Sequence, residues 1–305
     1  MSFFTQMVQL QLELFLLMAI GFGSKKIKLL NDAAQKSLSD LLIYVILPAN
    51  ILNSFTSNVQ VTPSLLQNFV LAFLISLVIQ LAATYGGRWI FRKWPPEKAH
   101  VANYGLIVSN SSFMGIPVME RVYDSIGVVY TAVFQIPIRL TMWSAGLSLF
   151  TSVNGRQAFR KVITHPCNIA CLVGLCMMLL GWHFPGFLGD TVVGLSHCTG
   201  PLSMIVIGAI LADAQVRALF QKDVLWFCLL RLVVMPLMVW GLLRLLGVDP
   251  VLTGVAVLLT AMPAGSTTAI LPQKYDCDKA YGAALIFTST LFSIATIPVL
   301  SLLLS

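Results

Sequence analysis

Two long apolar stretches of this chain carry helix-breaking residues near their middles, each break flanked by small polar side chains. One reads Asn110-Ser111-Ser112-Phe113-Met114-Gly115-Ile116-Pro117, the other Thr260-Ala261-Met262-Pro263-Ala264-Gly265-Ser266-Thr267-Thr268. A helix interrupted inside a bilayer frees backbone N–H and C=O groups where no water can satisfy them. Such a break is tolerated where it is buried in protein or lines a cavity. A pair of breaks, one in each half of a chain, is the best pointer in a sequence to the binding site of a secondary transporter.

The bilayer premise comes from composition. Hydrophobic residues make up 57% of the chain and charged residues 10%, where a soluble domain carries about 25% charged residues. Spanning helices need about 20 mostly apolar residues. Ten stretches qualify, near 8–27, 38–55, 65–90, 99–120, 125–150, 162–182, 191–212, 224–246, 251–273 and 280–304. The start of the chain lacks the charged region and small-residue cleavage site of a signal peptide, so the first stretch is expected to be a retained helix. No connecting segment is long enough for a soluble domain, and one all-α bundle is expected.

Charge orients it. Lys25, Lys26, Lys28, Lys36, Arg88, Arg92, Lys93, Lys98, Arg156, Arg160, Lys161, Arg217, Lys222, Lys274 and Lys279 follow odd-numbered spans. Only Arg121 and Arg244 fall on the other side, and Arg139 and Arg231 lie within spans. The positive-inside rule places the fifteen in the cytoplasm and both termini outside a cell membrane. The net charge of +7 is thereby a matter of membrane anchoring and gives no reason to expect nucleic acid.

Five spans is an odd number, so a second set of five repeating the first must enter from the opposite face. The landmarks agree: Pro48 in span two answers Pro201 and Gly208 in span seven, and the break at Gly115 and Pro117 in span four answers that at Pro263 and Gly265 in span nine. Residues 1–150 then form one inverted repeat and 162–305 the other.

Broken helices that meet at mid-membrane would bring half-helix N-termini together. Their unpaired amides and partial positive charge suit a carboxylate or another anion. Asn110, Ser111, Ser112, Ser266, Thr267 and Thr268 add neutral donors and acceptors. Arg139, well inside span five, is costly there and marks a functional position by default. It could meet an anionic substrate as a planar donor fork, pair with Glu13 or with helix carbonyls, or snorkel toward a surface. Arg231, nearer the cytoplasmic end of span eight, reads as a structural anchor. Neither break contains Asp or Glu, which disfavours an acid-centred cation exchanger and favours uniport or exchange.

Enzymatic constellations are missing: there is no Walker loop, no Gly-x-Ser-x-Gly and no His-Glu-x-x-His. No catalytic residue, metal or cofactor is expected. The four histidines read as interfacial or structural, and the cysteines as small buried hydrophobes.

At these residues the sequence resembles the auxin efflux carrier family. Asn110 through Pro117 matches that family's Asn-x-x-x-Met-Gly-Ile-Pro signature. Leu42-Ile43-Tyr44-Val45-Ile46-Leu47-Pro48-Ala49 is similar to its span-two motif, and Met262-Pro263-Ala264-Gly265 through Gln273-Lys274-Tyr275-Asp276 to its broken span nine. The plant exporters' long central loop is absent, which makes the chain look bacterial. The resemblance implies ten helices in two inverted repeats, with broken helices 4 and 9 crossing, as in elevator transporters of the sodium/proton antiporter and bile-acid symporter type. Spans one, two, six and seven would form a dimerising scaffold, and the rest a moving transport domain. It implies that Asn110 contacts the substrate carboxylate and that Pro117 and Pro263 are the crossing prolines; with the breaks and the intramembrane arginine read above, the expected site is Asn110, Ser111, Gly115, Pro117, Arg139, Pro263, Gly265, Ser266 and Thr267. The expected substrates are organic carboxylate anions such as auxin-like acids, malate or malonate, moved by uniport. A sodium- or proton-coupled symporter and a non-transporting ligand sensor are the alternatives. Ala264-Gly265 stands where plant members tend to have Gln-Gly, a departure that bears on auxin specificity.

Overall fold

The computed structural model describes residues 3–56, 62–212, 221–268 and 279–304. Among the described residues it is all helix, apart from one isolated antiparallel bridge between Ser109 and Ala264. In chain order the helices are α1 (Phe3–Lys26), α2 (Asp32–Thr56), α3 (Pro63–Ile90), α4 (Pro96–Ile107), α5 (Ser111–Leu149), α6 (Gly155–Ile163), α7 (Pro166–Leu180), α8 (Gly186–Leu211), α9 (Lys222–Leu245), α10 (Pro250–Thr260) and α11 (Lys279–Ser301).

Seven of these are long and apolar enough to cross a membrane, or eight if the bent pair α6 and α7 counts as one span. The expected ten is reached only by counting each broken helix as a span. On that count α4 joins the first limb of α5, and α10 joins the segment that begins at Ser266. The rest of that last segment, including Gln273–Asp276, lies outside the described residues. Helix α5 turns sharply at Tyr123 and Asp124 (φ 51°, ψ −147°), so residues 111–122 and 125–149 are separate limbs, as the division between spans four and five requires.

Local chemistry sets the helix ends. The Asn31 side chain accepts from the Ala34 N–H at 2.8 Å, Thr62 from Leu65 at 3.1 Å and Asp249 from Leu252 at 2.9 Å. Pro63, Pro166 and Pro250 sit in first turns, where a missing N–H is harmless. Helix α7 stops at Gly181, left-handed at φ 62°. Amphipathic α6 buries Ala158 and Val162, carries Arg156, Arg160 and Lys161, and bends by 53° into α7. Its two faces suit a helix that lies along a membrane surface, a short element ahead of the span expected near 162–182.

Prolines leave their mark inside spans. Helices α2 and α9 each contain a π-turn, at Leu42–Ile46 and Leu230–Val234, just before Pro48 and Pro236. Proline removes one hydrogen bond and crowds the carbonyl one turn earlier; the extra residue of a π-turn absorbs both faults. Helix α8 is interrupted at Cys198, ahead of Pro201.

Packing is tightest between α1 and α8. A Cβ on Gly208 would stand 1.9 Å from the Met18 carbonyl oxygen, and one on Gly21 would stand 2.0 Å from that of Ile205. Only glycine permits this approach. Helix α2 packs on α7 and α8, α3 on the second limb of α5, and α9 on α11. Leu12, Leu16 and Ile20 of α1, Val70, Leu74 and Val78 of α3, and Leu172 and Leu179 of α7 point outward, the apolar belt a lipid-facing surface requires.

Candidate functional site

The two breaks lie against each other. They pair antiparallel around Ser109 and Ala264: the Asn110 N–H donates to the Pro263 carbonyl at 2.8 Å, and the Gly265 N–H to that of Val108 at 2.9 Å. Each interruption thus satisfies groups the other has freed, which is the condition for irregular backbone at membrane depth. The Ala264 N–H finds the Ser289 hydroxyl at 3.1 Å. Gly265 is required by contact, since a Cβ there would meet Val108 Cγ1 at 2.9 Å and the Ser109 carbonyl at 3.2 Å. Gly115 admits Leu259, whose Cδ2 would lie 2.9 Å from an added Cβ.

The carbonyl ends of α4 and α10 converge on one residue. Arg231, 2% exposed, donates from Nε to the Met262 carbonyl at 3.0 Å and from Nη1 to the Leu106 carbonyl at 2.7 Å. Helix C-termini carry partial negative charge and unpaired carbonyls, and the guanidinium answers both. Arg231 is therefore structural, as expected, but it anchors the crossing rather than a membrane surface.

The amide ends face elsewhere. A cavity of about 130 Å³ lies between the crossing and helices α2 and α7, and Asn110, Ser111, Ser112, Gly265, Ser266, Thr267 and Arg139 line it. Asn110 precedes the first limb of α5; its carbonyl accepts from the Met114 and Gly115 N–H groups, both at 3.1 Å, while its side chain makes no capping bond. The N–H groups of Ser111, Ser112 and Phe113 open that limb, where no earlier turn supplies acceptors. Ser266 and Thr267 line the cavity beside them, and the residues from 269 to 278 that follow lie outside the described residues. Tyr104 donates its hydroxyl to Thr267 Oγ1 at 3.1 Å.

Arg139 is 5% exposed. Its Nη1 donates to Asn168 Oδ1 of α7 and its Nη2 to Gln135 Oε1. Gln135 in turn donates to the Ser111 carbonyl at 2.9 Å and accepts from Ser112 at 3.0 Å, while Asn168 donates to the Val162 carbonyl at 2.8 Å. Both partners are neutral amides. Among the described residues no carboxylate hydrogen-bonds this cation, and Glu13 lines a different cavity. A buried positive charge is held in place but not neutralised.

Six of the nine expected site residues thus share one cavity. The other three do not line it. Gly115 and Pro263 shape the crossing, and Pro117 lines a second, larger cavity of about 770 Å³ with Glu13, Glu120, Arg121, Asp124, His197 and Gly200. Sequence reasoning passed over Gln135, Asn168 and Glu120. Gln135 lies one helical turn before Arg139, a spacing that could have flagged it; Asn168 is a lone amide in an apolar run. Cys167 and Cys171 are buried as expected, whereas Cys176 and Cys198 are exposed.

A family model described as "Membrane transport protein" matches residues 6–160 and 155–301. An uncharacterized transporter of Methanothermobacter thermautotrophicus is 28% identical over 96% of this chain and 97% of its own length. An uncharacterized transporter of Methanocaldococcus jannaschii is 23% identical over 92% of this chain and 94% of its own.

Proposed function

The chain belongs to the membrane transport protein family, the auxin efflux carrier family its motifs resemble, and on that premise we propose that it carries small organic carboxylate anions across a cell membrane. One observation carries the reading: the amide end of the first limb of α5 and Arg139, which no carboxylate among the described residues hydrogen-bonds, line the same cavity. Amide ends suit one carboxylate, and a guanidinium suits a second.

The cavity volume bears on which acids fit. About 130 Å³ is below the ~300–1,000 Å³ of drug-sized sites. Malonate and malate therefore fit the reading better than an aromatic acid of auxin size.

Movement follows an elevator. Helices α1, α2, α7 and α8 form the scaffold, and α3, α4, α5, α9, α10 and α11 the transport domain that bears the crossing. The cavity lies along the boundary between these sets, and Arg139–Asn168 bridges it. The scaffold would pair with that of a second copy. Both termini lie outside the cell, by the charge count. Among the described residues no carboxylate lines the 130 Å³ cavity, which supports uniport: a monoanion leaving a negative interior gains about 2.3 kcal/mol per 100 mV.

The test is flux of labelled malonate, malate, acetate and indole-acetate in proteoliposomes holding the purified protein. Malonate or malate should move fastest and independently of sodium. Absence of carboxylate flux, with the protein folded and reconstituted, would overturn the proposal.

A further inference from the structure

The larger cavity contains a carboxylate that the anion site does not use. Glu120 lies on the first limb of α5, ten residues beyond Asn110, at the wall of the 770 Å³ vestibule. It is partly buried. Its Oε2 accepts from Asn50 Nδ2 of α2 at 3.1 Å. Asn50 is fully buried, and the same amide nitrogen reaches the Ser196 carbonyl of α8 at 3.4 Å. Asn50 Oδ1 and Thr199 Oγ1 are buried close by, with no hydrogen-bond donor or acceptor among the described residues.

The charged surroundings are mixed. His197 of α8 lies within electrostatic range of Glu120, and Glu13 of α1 lines the vestibule with it. Arg121 and Asp124 flank it on its own limb. Helix α2 presents only the neutral Asn50 to it, and on the α10 side Asp249 is occupied in capping Leu252. No cation is paired with Glu120 at salt-bridge distance among the described residues: the described ion pairs are Lys25–Asp32 and Lys98–Asp223.

On the proposed elevator, Glu120 rides the transport domain while Asn50 and Ser196 stay with the scaffold. Movement must break the Asn50–Glu120 bond. It must also draw the carboxylate from a wet vestibule along apolar α2 and α8. An ionised carboxylate makes that passage at high cost, and a neutral acid at little.

We propose that Glu120 is a proton-binding site, loaded from the vestibule, whose occupancy licenses the sliding of the first limb of α5 past Asn50. The inference rests on the elevator reading and adds a second ligand, a proton, at a second place; the proton is taken from the vestibule and returned to it when the limb slides back, so substrate movement stays uniport. Ionised, Glu120 holds the limb to Asn50. Protonated, it accepts more weakly and is free to leave. The sign follows: the mobile form accumulates as pH falls, so exchange between the two positions quickens towards acid pH. On the alkaline side it slows by about tenfold per pH unit, as one ionisation requires.

Two readouts separate this proposal from the substrate assignment. The first is malonate flux against vestibule-side pH. The second needs no substrate. Cys167 of α7 lines the anion cavity, so its alkylation by a neutral maleimide, resolved by peptide mass and normalised to a free thiol at each pH, reports displacement of the crossing. Wild type should show a pH response in both. Glu120→Gln, a permanent mimic of the neutral form, should remain active and lose the response. Asn50→Ala removes the donor that favours the ionised form, so its response should move to higher pH. His197→Gln should retain one. The proposal is overturned if Glu120→Gln keeps the wild-type profile, if a folded Glu120→Gln protein is immobile by the cysteine readout, if Asn50→Ala leaves the midpoint in place, or if the response vanishes with His197 instead. Failure of carboxylate flux alongside a Glu120-dependent cysteine response would remove only the substrate assignment.

Discussion

Replacing Arg139 by Gln should separate dicarboxylates from monocarboxylates. The guanidinium is 5% exposed and rests on the amides of Gln135 and Asn168. Glutamine keeps a neutral hydrogen-bonding head and removes the charge. In the proposed pose one carboxylate of malonate lies at the amide ends of Ser111 and Ser266, and the other at Arg139. A hydrogen bond to a charged group is worth about 1.5–3 kcal/mol, so the variant should bind malonate roughly 10- to 150-fold more weakly. Acetate, which needs only the amide ends, should change by a few-fold at most. Removing an unneutralised buried cation also relieves its desolvation, so the ligand-free variant should melt no lower than wild type. Titration calorimetry in detergent gives both affinities, and a thermal scan gives the stability. Equal losses for malonate and acetate, or an unchanged malonate affinity, would refute the assignment of Arg139 to the second carboxylate.

Arg231→Met should lower the melting temperature, because the Leu106 and Met262 carbonyls each lose a donor at about 1–3 kcal/mol; an unchanged midpoint in a thermal scan would show that Arg231 does not hold the crossing. Gly208→Val should abolish folded yield, since its Cβ would sit 1.9 Å from the Met18 carbonyl oxygen, whereas Gly241→Val, with nothing within 4 Å, should not; similar yields on size exclusion would count against the α1–α8 contact. Saturating malonate should slow alkylation of Cys167, which lines the cavity, and leave exposed Cys176 unaffected; parallel rates with and without malonate would place the ligand elsewhere.

The crossing was legible because its residues break a local rule together. Gly115 with Pro117, and Pro263 with Gly265, stand among Asn, Ser and Thr within apolar runs, and no continuous helix favours that combination. Pairing is a long-range matter, and the sequence placed the breaks without stating that Asn110 would bond Pro263. Single polar residues in apolar helices were the hardest to read. Arg231 looked like an anchor because its distance along the helix was visible and its direction was not. Glu120 ended a predicted span and was counted with the boundary, although Asn50, 70 positions earlier, holds it against α2. Helix ends carried stronger signals, and Asn31, Thr62 and Asp249 cap where small polar residues precede helices. The bend between α6 and α7 follows from Pro166 and His165, which the expected span from 162 to 182 ran through. Gly115, Pro117 and Pro263 were assigned to the site through the family signature; they shape the crossing or line the vestibule, because a motif records what the backbone needs as well as what the ligand touches.

The central claim is that peptide amides at the crossing hold the anion. It can be measured through dipolar couplings between the carboxyl carbons of ¹³C-malonate and the backbone ¹⁵N nuclei of the membrane-embedded protein. The account predicts contacts to amides among Ser111, Ser112, Ser266 and Thr267, with a second set to the Arg139 guanidinium. Contacts confined to residues of the larger vestibule, or to side chains alone, would contradict it.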